Sequence, residues 1–214
     1  MASVGIIDYG MGNLHSISKA LAYVAGDEQI QISYDPDELA KADRLVLPGV
    51  GAIGHCMAEL RRLELDDMLR QAIGHKPILG VCLGIEALMT YSAESGGVAG
   101  LGAFAGEAVR FASPDAQPDG VRRKIPHMGW NQVRQERNHP LWKNIVPDSW
   151  FYFVHSYYVV PEEDRHVAGT TDYGLRFASV VLRDQVFAVQ FHPEKSQSAG
   201  LQLLANFLDW DGSA

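Results

Sequence analysis

Two hydrophobic periods alternate along the first half of the chain. Short apolar runs bounded by turn residues give way to stretches in which apolar positions recur every three or four residues. "VGIID" (4–8) predicts a buried strand. A glycine turn over 10–13, with Asn13 as a cap, leads into Leu14, Ile17, Leu21 and Val24 at helical spacing, and Gly26 ends that run. "QIQISY" (29–34) alternates as a strand does. Asp35-Pro36 places a capping carboxylate before a proline at the first helical position and predicts a short helix through Ala40. A strand over 44–48, a glycine loop over 49–54, a helix to about Ile73 with a break in its middle, and the strand "PILGV" follow. Strands separated by helices imply a parallel sheet covered on both faces.

The second half is strand-rich. Strands are predicted over 103–111, 122–125, 130–134, 150–160, 166–171, 178–182 and 186–191, with a surface loop at "SPDAQPDG" (113–120) and a closing helix over 199–210. Together these predict an α/β fold: one domain over 1–214, a three-layer sandwich whose mostly parallel central sheet carries an antiparallel, strand-rich C-terminal extension.

Composition narrows the partners. The 214 residues carry 18 basic and 26 acidic side chains, a formal net charge of −8, so neither nucleic acid nor an anionic membrane is an expected partner. The densest apolar stretch, 151–160, is too short to span a bilayer, and the start lacks a basic, apolar leader. A cytoplasmic protein is expected. The two cysteines, Cys56 and Cys82, have no metal-ligand or C-x-x-C spacing, so no metal is expected.

Cys82 stands where the apolar run "PILGV" meets a helical pattern, between Gly80 and Gly84. A buried packing thiol is one reading. G-x-C-x-G also has the form of a nucleophile elbow, in which glycines permit a tight strand-to-helix turn, the helix start favours the thiolate, and the Leu83 amide is available to an oxyanion. Cys56, inside a helical run without flanking glycines, reads as structural. His192 ends the strand "VFAVQF" and precedes proline, which keeps it extended. Glu194, two residues on, then lies on the same side and is placed to orient the imidazole. Gly49, Gly51 and Gly54 match G-x-G-x-x-G, but no acidic residue ends a strand at the distance a dinucleotide site requires. The preferred use is a backbone loop in which Val50 and Gly51 supply a second oxyanion donor.

With these elements together, "GVCLGIEAL" (80–88) and "VFAVQFHPEKS" (186–196) resemble the nucleophile and His-Glu segments of the class I glutamine amidotransferases, the triad glutaminases. "IIDYGMGNLHSI" (6–17), "PGVGAIGHCM" (48–57), "KIPHMGWNQV" (124–133) and "FYFVHSYYV" (151–159) resemble the branch that serves histidine biosynthesis. The resemblance implies a Cys82-His192-Glu194 triad that hydrolyses glutamine to glutamate and ammonia without a cofactor. It implies delivery of the ammonia, in a heterodimer, to a cyclase subunit of (β/α)8-barrel type that converts the ribulosyl compound PRFAR to imidazole glycerol phosphate and AICAR. It implies that Gly51, Glu86, Glu94, Ser156 and Tyr157 hold glutamine, and that Asn13, Met128, Gly129, Trp130 and Asn131 meet the cyclase. The free subunit is then expected to be nearly inactive, one oxyanion amide being turned away until the partner docks.

One position departs from the family, which commonly has Gln where this chain has Glu86. An ionised carboxylate there would repel the substrate's α-carboxylate, so Glu86 is expected to face solvent or to touch only the α-ammonium. Competing readings are a triad glutaminase of the pyridoxal-phosphate-synthase type, another cysteine hydrolase on a related fold, and a binding module without catalysis.

Overall fold

The structure is a computed structural model that describes residues 2–112 and 123–213. In chain order the elements are β1 (Ser3–Ile7), α1 (Leu14–Val24), β2 (Gln29–Ser33), α2 (Pro36–Lys41), β3 (Arg44–Gly49), α3 (Ile53–Arg62), α4 (Leu65–Ala72), β4 (Ile78–Cys82), α5 (Leu83–Ala87), β5 (Met89–Ser92), β6 (Val98–Ala99), β7 (Phe104–Arg110), β8 (His127–Gln135), β9 (Ser149–His155), β10 (Tyr157–Pro161), β11 (Val167–Asp172), β12 (Arg176–Arg183), β13 (Val186–Val189) and α6 (Gln197–Asp209).

Five parallel strands, in the order β2-β1-β3-β4-β13, form the centre. Every residue of β4 and β13 is buried, as expected of strands covered on both faces. Ile17, Leu21, Leu204 and Phe207 of α1 and α6 pack on one face, and Leu39, Leu60, Leu69 and Ile85 of α2 to α5 on the other. This is the predicted three-layer α/β sandwich. Beyond β13 the sheet continues through β12, β10, β7, β5 and β6, and the pairings at β12, β10 and β6 are antiparallel. Within that extension β5 and β7 pair in parallel. A branch leaves β12 through β11 to β8 and β9, all antiparallel.

That branch turns back over the central strands. The His192 amide donates to the Tyr152 carbonyl at 2.9 Å, and the Tyr152 amide to Ser196 Oγ at 3.0 Å. The end of β9 is thereby held above the C-terminal ends of β4 and β13.

Several local features depart from the sequence reading for identifiable reasons. Gly54 lies inside α3 rather than in the glycine loop, because Glu94, distant in sequence, accepts the Ile53 amide at 2.8 Å and starts the helix there. The strand expected over 150–160 breaks at Ser156 into β9 and β10. The strand expected over 186–191 ends at Val189. Residues 123–126 form no strand, and the Ile125-Pro126 bond is cis. The predicted 113–120 loop lies outside the described residues. Asn13 sits at the start of α1, but its side chain makes no capping hydrogen bond. Asp35 does cap α2, accepting from the amides of Asp37 and Glu38. The break between α3 and α4 falls at Glu64, whose φ is 59°.

A close approach of backbones holds α5 onto β3. A Cβ placed on Gly84 would lie 2.2 Å from the Leu47 carbonyl oxygen. Gly84→Ala is therefore expected to destabilise the fold by about 3 kcal/mol. Gly26→Ala, whose Cβ would meet nothing nearer than 3.7 Å, should stay within about 0.5 kcal/mol of the parent. Urea unfolding of the two variants compares them directly.

Candidate active site

The C-terminal ends of β3, β4 and β13 converge, the place where open α/β sheets bind ligands. Cys82 is the last residue of β4 and has φ 53° and ψ −107°, a conformation that L-residues seldom adopt. Such a backbone costs on the order of 1–3 kcal/mol and persists only where its surroundings impose it. The imposition is visible on both sides. A Cβ on Gly80 would fall 2.8 Å from Leu88 Cδ1 and 2.9 Å from Ala188 Cβ, while Gly84 is pressed against Leu47. The flanking glycines are thus required by space, and the turn presents the cysteine at the start of α5. With only five residues, α5 favours charge at its start through the local amides of its first turn more than through a long dipole. Cys56, by contrast, is buried in α3, and burial is the main cause that pushes its thiol up to about 12.

His192 follows β13 with extended backbone angles, φ −101° and ψ 97°. Proline then starts a 3₁₀ turn, Pro193–Lys195, so Glu194 reaches the imidazole from a helical turn instead of a continued strand. Its Oε1 lies 2.8 Å from His192 Nδ1, with both side chains almost wholly buried. His192 Nε2 is buried and has no conventional hydrogen-bond partner among the described residues. It interacts instead with the Cys82 sulfur. Burial pushes the imidazole down, but the bonds and charges of Cys82 and Glu194 outweigh it and raise His192 to about 10. The partners thus favour the imidazolium form against the burial. Cys82 is 6% exposed, and its thiol also approaches the Val154 carbonyl at 3.9 Å.

A cavity of about 390 Å³ opens on these groups. Val50, Gly51, Leu83, Glu86, Glu94, Ser156 and Tyr157, all named from the sequence, line it with Cys82 and His192. Gly51 has φ +95°, which suits glycine alone. Of the two expectations for Glu86, exposure to solvent is not met. It is 4% exposed, because the helix that starts at Cys82 turns it inward against Gln190, whose Nε2 lies 3.5 Å from Glu86 Oε1. Burial, and then the charge of Glu94, raise its carboxyl to about 8 against the opposing Gln190 bond.

Pro126, Val154 and His155 also line the cavity and were not foreseen. His155 belongs to a buried relay. Its Nδ1 is 2.7 Å from the Tyr157 carbonyl, and its Nε2 is 2.9 Å from His127 Nδ1. His127 Nε2 is in turn 3.3 Å from Asn131 Nδ2. A single direction of donation satisfies the chain: each ring donates from Nδ1 and accepts at Nε2. Burial keeps both rings neutral, lowering His127 to about 4 and His155 to about 3.

Of the residues expected at a partner face, Met128 is 63% and Trp130 42% exposed on β8, with Gly129 between them and Asn131 bonded to the Asp172 carbonyl. Val146 and Trp150 add exposed apolar surface that the sequence did not single out. Asn13 borders a small void that it shares with Ile17, His192 and Glu194. A larger groove, about 750 Å³, runs between β10 and the β11–β12 pair and holds none of the expected site residues. Among the described residues no group of His, Cys, Asp or Glu is arranged to hold a metal, and no helix is long and apolar enough to cross a membrane.

A thiol on a strained strand-to-helix turn, facing a carboxylate-oriented histidine, is the equipment of a glutaminase, and residues 5–210 match the family described as glutamine amidotransferase class-I. The chain belongs to that family. It is 55% identical over 212 residues to the imidazole glycerol phosphate synthase subunit HisH of Nitrosococcus oceani, with 99% of each chain covered. The subunit of the same name from Methylococcus capsulatus is 52% identical, over 99% of this chain and 98% of its own. Within the class, the chain falls in the family of these synthase subunits. The fold agrees with a solved glutamine amidotransferase (TM-score 0.72, 17% identity, 96% and 97% of the chains covered). It agrees likewise with PurLQS from Thermotoga maritima (TM-score 0.74, 17% identity, 97% and 98% covered).

The His192 proton provides a test of the coupling. With a folded value of about 10 against an ordinary value of 6.5, the histidine contributes stability that is full below pH 6.5 and is lost as the pH rises through 10. Cys82→Ala and Glu194→Gln should each lower the His192 pKa, read from its ring resonances by NMR, and each should flatten that slope.

Proposed function

We propose that this chain is the glutaminase subunit of an imidazole glycerol phosphate synthase and works through a Cys82-His192-Glu194 triad. The observation that carries the reading is the conjunction of the strained Cys82 turn with the His192 Nδ1 to Glu194 Oε1 bond of 2.8 Å at the mouth of one cavity. In this reading Cys82 attacks the side-chain amide carbon of glutamine as a thiolate, its proton having passed to His192. The tetrahedral oxyanion is received by backbone amides, that of Leu83 at the start of α5 and one from the Val50-Gly51 turn. His192 then returns the proton to the departing nitrogen, ammonia leaves, and a γ-glutamyl thioester remains on Cys82. Water, deprotonated by His192, releases glutamate and restores the thiol. Glu194 stays ionised throughout, fixing the ring and stabilising its cation. Gly51, Glu94, Ser156 and Tyr157 hold the amino-acid end of the substrate.

The ammonia passes to a cyclase partner, a (β/α)8 barrel in a heterodimer, that makes imidazole glycerol phosphate for histidine. Asn13, Gly129 and Asn131, with exposed Met128 and Trp130, form the face that meets it. The reading is favoured over a pyridoxal-phosphate-synthase type by the full-length likeness to synthase subunits. Cytoplasmic residence accords with a biosynthetic role.

Glutamate release from glutamine tests the whole reading. The chain alone should be slow, and addition of the cyclase subunit with its ligand should stimulate it strongly. Cys82→Ala should abolish the activity, and Glu194→Gln should lower kcat by about 10²–10⁴-fold. Trp130→Ala should weaken stimulation by the cyclase at sub-saturating concentrations. Activity that depends on Cys82 but ignores the cyclase would reject the synthase assignment. Glutaminase activity undiminished in Cys82→Ala would reject the triad.

A further inference from the structure

The triad does not explain why a second acidic side chain is buried beside it. Glu86 lies on α5, four residues after the nucleophile, and lines the same cavity as Cys82 and His192. Its Oε1 has one long contact, 3.5 Å from Gln190 Nε2, while its Oε2 is buried without any partner among the described residues. The ionisable groups around it come from several elements: Glu94 across the cavity, Cys56 on α3, Cys82 at the end of β4 and His192 beyond β13. The nearest strong influence is the Glu94 carboxylate, which opposes a second negative charge. An unpartnered carboxylate oxygen in such a place is costly, whereas a carboxylic acid there has one hydroxyl donor to offer.

Glutamine supplies the complement. Its side-chain amide belongs at Cys82, and its α-ammonium is suited to Glu94, which leaves the α-carboxylate to be received by a neutral donor. We propose that Glu86 is a neutral carboxylic acid whose hydroxyl donates a hydrogen bond to the α-carboxylate of bound glutamine, and that its ionisation in mildly alkaline solution closes the site to substrate. This rests on the glutaminase reading and adds to it a proton-dependent specificity element. Burial and Glu94 together place the transition at about 8, so the acid form prevails at neutral pH. As the pH rises through that point, a carboxylate replaces the donor and faces the substrate's own carboxylate.

The test is the pH dependence of glutamine KM, measured from about pH 6.5 to 9.5 on the chain assembled with its cyclase subunit, for the parent, Glu86→Gln and Glu86→Leu. In the parent, KM should climb by roughly tenfold per pH unit above the Glu86 transition, with kcat following a different profile. In Glu86→Gln, which keeps a neutral donor of the same shape, that climb should be absent. Glu86→Leu, which has no donor, should raise KM at every pH. Ionisation of glutamine itself enters all three curves alike and cancels in the comparison. A profile unchanged in Glu86→Gln, or a KM many-fold lower than the parent's at neutral pH in that variant, overturns the proposal.

A second readout does not depend on turnover. Infrared difference spectra of the parent minus Glu86→Gln at neutral pH should contain the C=O band of a protonated carboxylic acid, shifted in heavy water and lost at alkaline pH. Absence of the band overturns the proposal even if the enzyme is active. A band present in a protein that never hydrolyses glutamine at any pH would overturn the glutaminase reading and the substrate role with it, while leaving the protonation of Glu86 standing.

Discussion

The close contact between α5 and β3 is the constraint on which the site depends. With Gly84 pressed onto the Leu47 carbonyl and Gly80 wedged between Leu88 and Ala188, the chain leaving β4 has no room to relax, and Cys82 takes the positive φ. The turn's strain is sustained by packing against the face of the sheet that carries α2 to α5. The same packing decides where Cys82 stands relative to residues that follow β13, since β13 lies directly beside β4 in parallel register, with Val189 opposite Val81. His192, three residues after Val189, is consequently carried to the level of Cys82.

Charge in the cavity follows from burial combined with specific neighbours. Three kinds of buried titratable group stand close together and behave differently. His192 gains a proton because Cys82 and Glu194 face it. His155 and His127, bonded to each other, a carbonyl and an amide, are pushed down by burial, His155 also by the charge of His192, and the relay fixes their tautomers. Glu86 is pushed up by burial and by the neighbouring Glu94 carboxylate, against the opposing Gln190 bond. Burial disfavours the charged form in every case, and only at His192 do the partners reverse it.

The parts of the site that were legible in the sequence are those carried by local spacing. A cysteine between glycines at a change of period, and a histidine before proline with an acid two residues on, can be read without the fold. Val154 and His155 could not, because their places depend on β9 folding back over β13. That return is secured by bonds between residues about 40 apart, such as Tyr152 to Ser196. The helix start at Ile53 was misjudged for a related reason: its cap is Glu94, which no local rule associates with it. The short strands β5 and β6 carry little alternation and exist through pairing with β7 and with each other. The central sheet was read nearly whole, since its buried strands stand out as apolar runs whatever lies next to them.

The position of β13 also bears on how the protein is made. This strand, the last in the chain, is inserted between β4 and β12 rather than added at an edge. A growing polypeptide exposes Cys82 long before His192 and Glu194 have left the ribosome. Until β13 takes its place, Ala188 is not there to crowd Gly80 and His192 is not beside the cysteine. Insertion of the final strand therefore completes the sheet and brings His192 to Cys82 in one event.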